Sequence, residues 1–182
     1  MHQDVQLTLA ALSLTLAAAG CSSTHEPVSA TTGVYALTIA GEVDACSPLR
    51  ATGPMGSAGI VQHGALITLT APDPTTSLPT LVSLNSEASF SDERVTTLDP
   101  CTGATLTRTY SVVGHDGDGL DVAYTETWTG MSTCGAAMRS IMPAAPSRDC
   151  RADLVMHYRL ETPCAAPCQL RLTVDGGAAC QC

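Results

Sequence analysis

The sequence predicts an all-β domain, an antiparallel small barrel or two-sheet sandwich of about eight strands that is stabilised by disulfides. Apolar and polar residues alternate in several short segments, which is the period of a strand that buries one face. Glycine, proline and aspartate separate these segments, and no segment after Cys21 keeps a helical period for three turns. The chain also contains nine cysteines, enough to cross-link a core with one Trp, one Phe and four Tyr.

The predicted strands lie between turn-rich and proline-rich stretches. Residues 53–59 contain one proline and three glycines and predict a turn, and residues 130–148 predict a long connection without alternation. The dipeptide His63-Gly64 predicts a tight turn between two strands. Segments with strand periodicity are 33–40, 60–62, 65–70, 81–84, 88–90, 94–98, 152–161, 169–174 and 178–182.

The clearest strand signal is a hairpin at residues 104–129, whose two strands flank the sequence HDGDG. Each strand carries one charge on an otherwise apolar face, Arg108 on the first and Glu126 on the second. These faces meet only if the loop has an odd number of residues. A loop at 116–118 sets Arg108 directly opposite Glu126, and a loop at 117–119 sets the two diagonally. Either register predicts a partly buried ion pair inside the domain.

Three carboxylates in and beside this turn, Asp116, Asp118 and Asp121, resemble part of a calcium-binding loop. An EF-hand also needs a bidentate Glu at its twelfth position, where this sequence has Thr127. Asp-Gly pairs are common hairpin turns. We therefore predict a turn at these residues and no metal site.

The cysteines predict disulfides. Without Cys21, eight cysteines remain, an even number that suits four bridges in an oxidising compartment. We predict one pair, Cys134–Cys150, because these residues flank the proline-rich connection between two strands expected to be neighbours. A zinc site in the C-terminal cysteines is disfavoured by their C-x3-C and C-x-C spacing. The pairing of the other cysteines is left open: Cys46, Cys101, Cys164, Cys168, Cys180 and Cys182.

The apolar run at residues 7–21, LTLAALSLTLAAAGC, predicts export. As a helix it would measure about 22 Å, short of the roughly 30 Å hydrocarbon layer, which is typical of a secretory signal. The run resembles the lipobox of bacterial lipoproteins, which implies a signal peptide at 1–20 and an acylated Cys21 as the first mature residue. The resemblance also implies the cell envelope, with Ser22 after the cysteine indicating the outer membrane. The alternatives are an ordinary signal peptide or a buried core helix.

A polar segment follows the anchor, and the folded domain follows that segment. Residues 22–32 are small and polar and predict a flexible tether, which leaves 33–182 as one β-rich domain with a cysteine-rich C-terminal hairpin. The domain opens on Gly33-x-Tyr35, and the order of its strands resembles the up-and-down barrels of lipocalin-like proteins. That resemblance implies a ligand cavity inside the barrel.

Charge and motifs limit the function. The net charge of −9 disfavours nucleic acid and a basic membrane-binding patch, so the predicted membrane contact is the lipid. Ser57 lacks the glycine two residues before it that a nucleophile elbow requires, and His157 falls on the polar face of its strand. We identify no catalytic residue, metal site or cofactor. The predicted function is a non-catalytic envelope lipoprotein for binding or structure, with its small-molecule or protein ligand unassigned. The alternative is a secreted-type hydrolase with an unidentified site.

Overall fold

The computed structural model describes residues 27–46, 52–72, 79–85, 91–97, 103–133, 145–165, 169–172 and 178–181. Apart from one short 3-10 helix at Met131–Thr133, the regular structure of these residues is β, which confirms the all-β prediction. The strands are β1 (Gly33–Asp44), β2 (Gly53–His63), β3 (Leu66–Pro72), β4 (Pro79–Asn85), β5 (Ser91–Thr97), β6 (Thr105–Asp116), β7 (Gly119–Thr129), β8 (Cys150–Pro163), β9 (Gln169–Leu172) and β10 (Ala178–Gln181).

The first eight strands form one antiparallel sheet in the order β4-β3-β2-β1-β8-β7-β6-β5. Each of them pairs with a neighbour in sequence, and β1 also pairs with β8. The edge strands β4 and β5 approach each other, with Cα atoms within 8 Å. The sheet therefore curls into a nearly closed barrel with a seam between β4 and β5. Of the two architectures that the sequence allowed, the barrel is the one formed.

The barrel has two rims, which we name by their contents. The N-terminal rim contains the start of β1, the β2–β3 turn and the β6–β7 turn. The disulfide rim contains the end of β1, the end of β7 and the start of β8. Strands β9 and β10 pair only with each other and lie near β2, outside this sheet.

Residues 27–32 belong to the folded domain. Val28 is 4% exposed and joins the core cluster inside the barrel. The Ala30 amide donates to the Gln62 side chain at 2.7 Å, and the Gln62 amide donates to the Thr32 hydroxyl at 3.0 Å. The predicted tether is therefore wrong at 27–32. Composition suggested disorder because this segment cannot bury a core by itself, but the barrel opening supplies a site for Val28.

Strand β2 begins earlier than the sequence predicted. Residues 53–59, predicted to be a turn, form its first half. Gly53 and Gly56 have φ of 100° and 86°, and the β1–β2 register shifts at Leu37 and Thr38. Glycines that adopt this conformation allow a bulged strand to continue pairing where an L side chain would be strained.

The disulfide described by the structure joins Cys46 to Cys150, with a Cα–Cα distance of 5.1 Å. Because Cys150 is bonded to Cys46, the predicted Cys134–Cys150 pair is wrong. Cys134 lies outside the described residues. Strand β8 has two neighbours, and Asp44 of β1 pairs with Ala152, which brings Cys46 beside Cys150. The sequence prediction considered only the β7 side. Cys164 is also disulfide-bonded.

Side chains fill the described interior in two clusters. The larger cluster lies toward the N-terminal rim and includes Tyr35, Ile60 and Leu69. The smaller lies at the disulfide rim and includes Trp128 and the half-buried Cys150. Between the clusters, the inner face of β6 and β7 is polar.

Candidate functional site

The β6–β7 hairpin has the first of the two predicted registers. Arg108 pairs with Glu126, and Tyr110 pairs with Tyr124. The turn itself differs from the prediction, because Asp116 pairs with Gly119 and leaves a two-residue loop. A bulge between Val112 and Gly114 adds one residue to β6. The alternating faces require an odd number of residues in the connection. The turn supplies two of them, and the bulge supplies the one that makes the number odd.

Glu126 is the polar centre of the interior. Its side chain is 0% exposed, and its Oε2 accepts a hydrogen bond from the Tyr124 hydroxyl at 2.8 Å. The Trp128 indole N–H donates to Oε1. Both donors lie two residues from Glu126 along the same strand, so the period of β7 places all three side chains on the inner face. Such hydrogen bonds lower the free-energy cost of burying a carboxylate.

Arg108 supplies a positive charge beside this carboxylate. It is 9% exposed and stands directly across the β6–β7 ladder from Glu126. Burial, then the negative charge of Glu126, raises the pKa of Tyr124 well above its ordinary value, and Arg108 acts in the opposite direction. The Tyr110 and Tyr124 rings lie 5.0 Å apart at 44°. The predicted burial and facing positions of Arg108 and Glu126 are confirmed, and the salt bridge between their charged atoms stays a prediction.

A second charged group lies on the outer face of β7 and β8. His157 Nδ1 is 2.9 Å from Asp121 Oδ1, and an Arg159 nitrogen donates to the same oxygen at 2.8 Å. Partial burial alone would raise the pKa of Asp121, but the hydrogen bonds from Arg159 and His157 outweigh it and hold that pKa below its ordinary value of 3.8. Across the other edge of β8, Thr38 of β1 pairs with His157 and is exposed. A hydroxyl, an imidazole and a carboxylate therefore occupy one row across three strands.

The sequence missed this row for a topological reason. Alternation on β8 placed His157 on the polar face, as the structure does, but named no partner for it. Thr38 and Asp121 come from strands that lie far apart in sequence and become neighbours of His157 only when β8 inserts between β1 and β7. A predicted β1–β8 pairing would have been the signal to look for.

A second ion pair lies on the same outer face. Arg151 binds Asp153 at 2.8 Å, and the Thr125 hydroxyl donates to Asp153 at 2.7 Å. Hydrogen bonds from Arg151 hold the pKa of Asp153 below its ordinary value. In the turn, Asp116 Oδ1 accepts the Asp118 amide at 3.0 Å, which is turn chemistry. Within the described residues no group of three His, Cys, Asp or Glu side chains could hold a metal ion.

The remaining sequence candidates are dispersed. Ser57 is exposed on β2, and His63 is exposed where β2 ends. Cys21 lies outside the described residues. Within the described part of the chain, no helix is long and apolar enough to cross a membrane. Comparisons with protein-family models, curated proteins and solved structures found no match to this chain.

Proposed function

We propose that this protein is a bacterial envelope lipoprotein, anchored through acylated Cys21, that displays its β-barrel as a non-catalytic binding or structural module. The anchor rests on the sequence of residues 7–21, whose apolar run ends in Ala-Ala-Gly-Cys. The outer membrane is the proposed location, on the basis of Ser22. The net charge of −9 agrees with an anchor that is a lipid rather than a basic surface.

The packed interior carries the non-catalytic part of the proposal. Tyr35, Tyr110, Tyr158 and Trp128 are all at most 1% exposed and project into the barrel with smaller apolar residues. The buried carboxylate of Glu126 accepts hydrogen bonds from its own strand. An eight-stranded barrel is just wide enough for side chains to fill, and these side chains occupy that space. Partners would then bind the outer surface or the rims.

Fractionation tests the anchor. The Cys21→Ala variant should leave the membrane fraction, because two or more acyl chains give stable anchoring at about 0.8 kcal/mol for each buried CH2. Ser22→Ala, which keeps the cysteine, is the matched control and should stay with the membranes. If Cys21→Ala still sediments with membranes after a carbonate wash, the lipoprotein proposal is wrong.

One observation favours the alternative, a hydrolase. The row Thr38–His157–Asp121 has the order of a nucleophile, a base and an orienting acid. Hydrolysis of an activated ester by the purified protein, lost in both Thr38→Val and His157→Gln, would support it. Thr109→Val, on the outer face of β6, is the control and should retain the activity. Equal rates in all three variants would eliminate this row as an active site.

A further inference from the structure

We infer that the N-terminal rim of the barrel faces the membrane and that the disulfide rim points away from it. The inference rests on the proposed acylation of Cys21 and adds to it an orientation. It depends on where the chain leaves the barrel and on how much chain remains to reach the lipid.

The chain leaves at the N-terminal rim and is fixed there. Val28 is buried in the core, whereas Pro27, one residue closer to the anchor, is exposed. The Tyr35 hydroxyl donates to the Thr31 carbonyl, and the Cys164 amide donates to the Thr32 carbonyl at 2.9 Å. Burial, then the charge of Asp118, raises the pKa of Tyr35 to about 12, so this hydroxyl keeps its proton at neutral pH. The exit point is therefore packed and hydrogen-bonded at the N-terminal rim.

The remaining chain is shorter than the barrel. The six residue-to-residue steps from Cys21 to Pro27 span at most about 20 Å when the chain is fully extended. The longer strands, such as the 12 residues of β6, correspond to a barrel height of about 30 Å at the usual rise and tilt. An inverted barrel would hold Pro27 that far from the lipid, beyond the reach of the chain. A tether that continued to residue 32 would span about 40 Å and would allow both orientations.

Length decides the orientation, because both rims carry exposed apolar residues. At the N-terminal rim Leu66 is 46% exposed and Val113 is 61% exposed. At the disulfide rim Val43 is 59% exposed and Met55 is 39% exposed. These four positions form two matched pairs of sites for a probe.

Energy transfer to lipid tests the inference. Full-length, acylated Leu66→Trp and Val43→Trp proteins would be reconstituted in phosphatidylcholine vesicles that contain a dansyl-labelled lipid headgroup. Trp128 is an equal background in both. We expect several-fold more transfer from Leu66→Trp than from Val43→Trp, and the same difference between Val113→Trp and Met55→Trp. Equal transfer within both pairs, or more from the disulfide rim, overturns the orientation.

A longer tether and vesicle flotation separate the two proposals. Inserting about twelve Gly and Ser residues after Ser23 should bring each pair toward equal transfer, because a flexible linker of that length permits inversion. A difference that survives the insertion would contradict tether length as the cause. Protein that fails to float with the vesicles contradicts the anchor and the orientation together. Protein that floats with equal transfer contradicts the orientation alone.

Discussion

Strand β7 carries two carboxylates, Glu126 and Asp121, that face opposite sides of the barrel wall. Glu126 is fully buried and receives a phenol and an indole from its own strand. Asp121 is about a quarter exposed (28% of its side chain) and receives a guanidinium and an imidazole from β8. The two residues are separated by an odd number of positions, which places them on opposite faces of one strand.

The comparison shows how the environment changes what a carboxylate contributes to stability. Water can replace the partners of Asp121, so its ion pairs contribute little. Water cannot reach Glu126 in the folded state, so removing a partner leaves a charge in a medium of low dielectric constant. The inner group should therefore control stability and register, and the outer group should be replaceable.

The largest expected effect comes from Glu126→Gln, with Asp121→Asn as its outer counterpart. Glu126→Gln removes the buried negative charge that faces Arg108 across the ladder and should lower the free energy of unfolding by about 3–5 kcal/mol. That loss corresponds to a fall in Tm of roughly 10 °C. Asp121→Asn should cost at most about 1 kcal/mol. Equal shifts of Tm in thermal melts at pH 7 would contradict a larger contribution from the buried carboxylate.

A double variant measures the interior ion pair itself. Arg108→Met combined with Glu126→Gln removes both charges but keeps an oxygen that can accept from Tyr124 or Trp128. It should be more stable than either single variant, which requires a coupling energy in the double-mutant cycle larger than the larger single loss, about 3–5 kcal/mol. Simple additivity of the two single effects would show that Arg108 and Glu126 do not interact.

Removing the Cys46–Cys150 disulfide should reduce the stability cost of Glu126→Gln and leave that of Asp121→Asn unchanged. Cys46 and Cys150 pack in the same cluster as Trp128, next to Glu126. The Cys46→Ser, Cys150→Ser variant should lose about 2–4 kcal/mol of stability. With that rim loosened, water can approach Glu126, so Glu126→Gln should then cost less, and Asp121→Asn should cost the same as before. An unchanged cost of Glu126→Gln in this background would contradict a link between rim closure and carboxylate burial.

Adjacent hydroxyls give a smaller, matched test. Tyr124 donates to Glu126 at 2.8 Å on the inner face, and Thr125 donates to Asp153 at 2.7 Å on the outer face. Tyr124→Phe should cost about 1.5–3 kcal/mol, the range for a hydrogen bond to a charged group. Thr125→Val should cost less than about 1 kcal/mol, since water can take the place of its hydroxyl. Chemical denaturation of the two variants compares them directly, and a larger loss in Thr125→Val would contradict the assignment of faces.

The smallest expected effect is on the free energy of unfolding at low pH. The pKa values of Asp121 and Asp153 are lower in the folded protein than their ordinary value of 3.8. Their contribution is therefore fully present above about pH 4 and is lost as the pH falls through the folded-state values. It should not exceed about 1 kcal/mol for each group, because both are partly exposed. Unfolding free energies measured between pH 6 and pH 2.5 should fall less in the Asp121→Asn, Asp153→Asn variant than in the wild type, and identical profiles would contradict this.

Local patterns predicted most of the strands and the inner face, but they missed the first half of β2 and could not predict contacts between distant strands. Alternation in β6 and β7 requires Arg108 and Glu126 to share a face, and the parity of the loop then limits the register to two choices. Neither choice needed knowledge of any other strand. Cys46 reaches Cys150 only because β1 and β8 pair, and no period in either strand encodes that pairing. For the same reason, the sequence did not predict that Thr38 pairs with His157.

The N-terminal segment shows a different limit. Residues 27–32 have the composition of a linker, and considered in isolation they bury nothing. Val28 packs in a core cluster to which seven strands of the barrel contribute side chains. Composition reports what a segment can do alone, so it underestimates one that completes another structure.

Because β1 pairs with β8, one edge of β1 stays unpaired while the chain between them is synthesised. Ribosomes add about 5–20 residues per second, so the 104 residues from Cys46 to Cys150 take on the order of ten seconds. During that time β8 has not been made, so the edge of β1 that pairs with it is open. Open strand edges promote aggregation. A chain held in complex with a chaperone until residue 163 has emerged would avoid this hazard, whereas the finished barrel leaves only the seam between β4 and β5 unpaired in its described sheet.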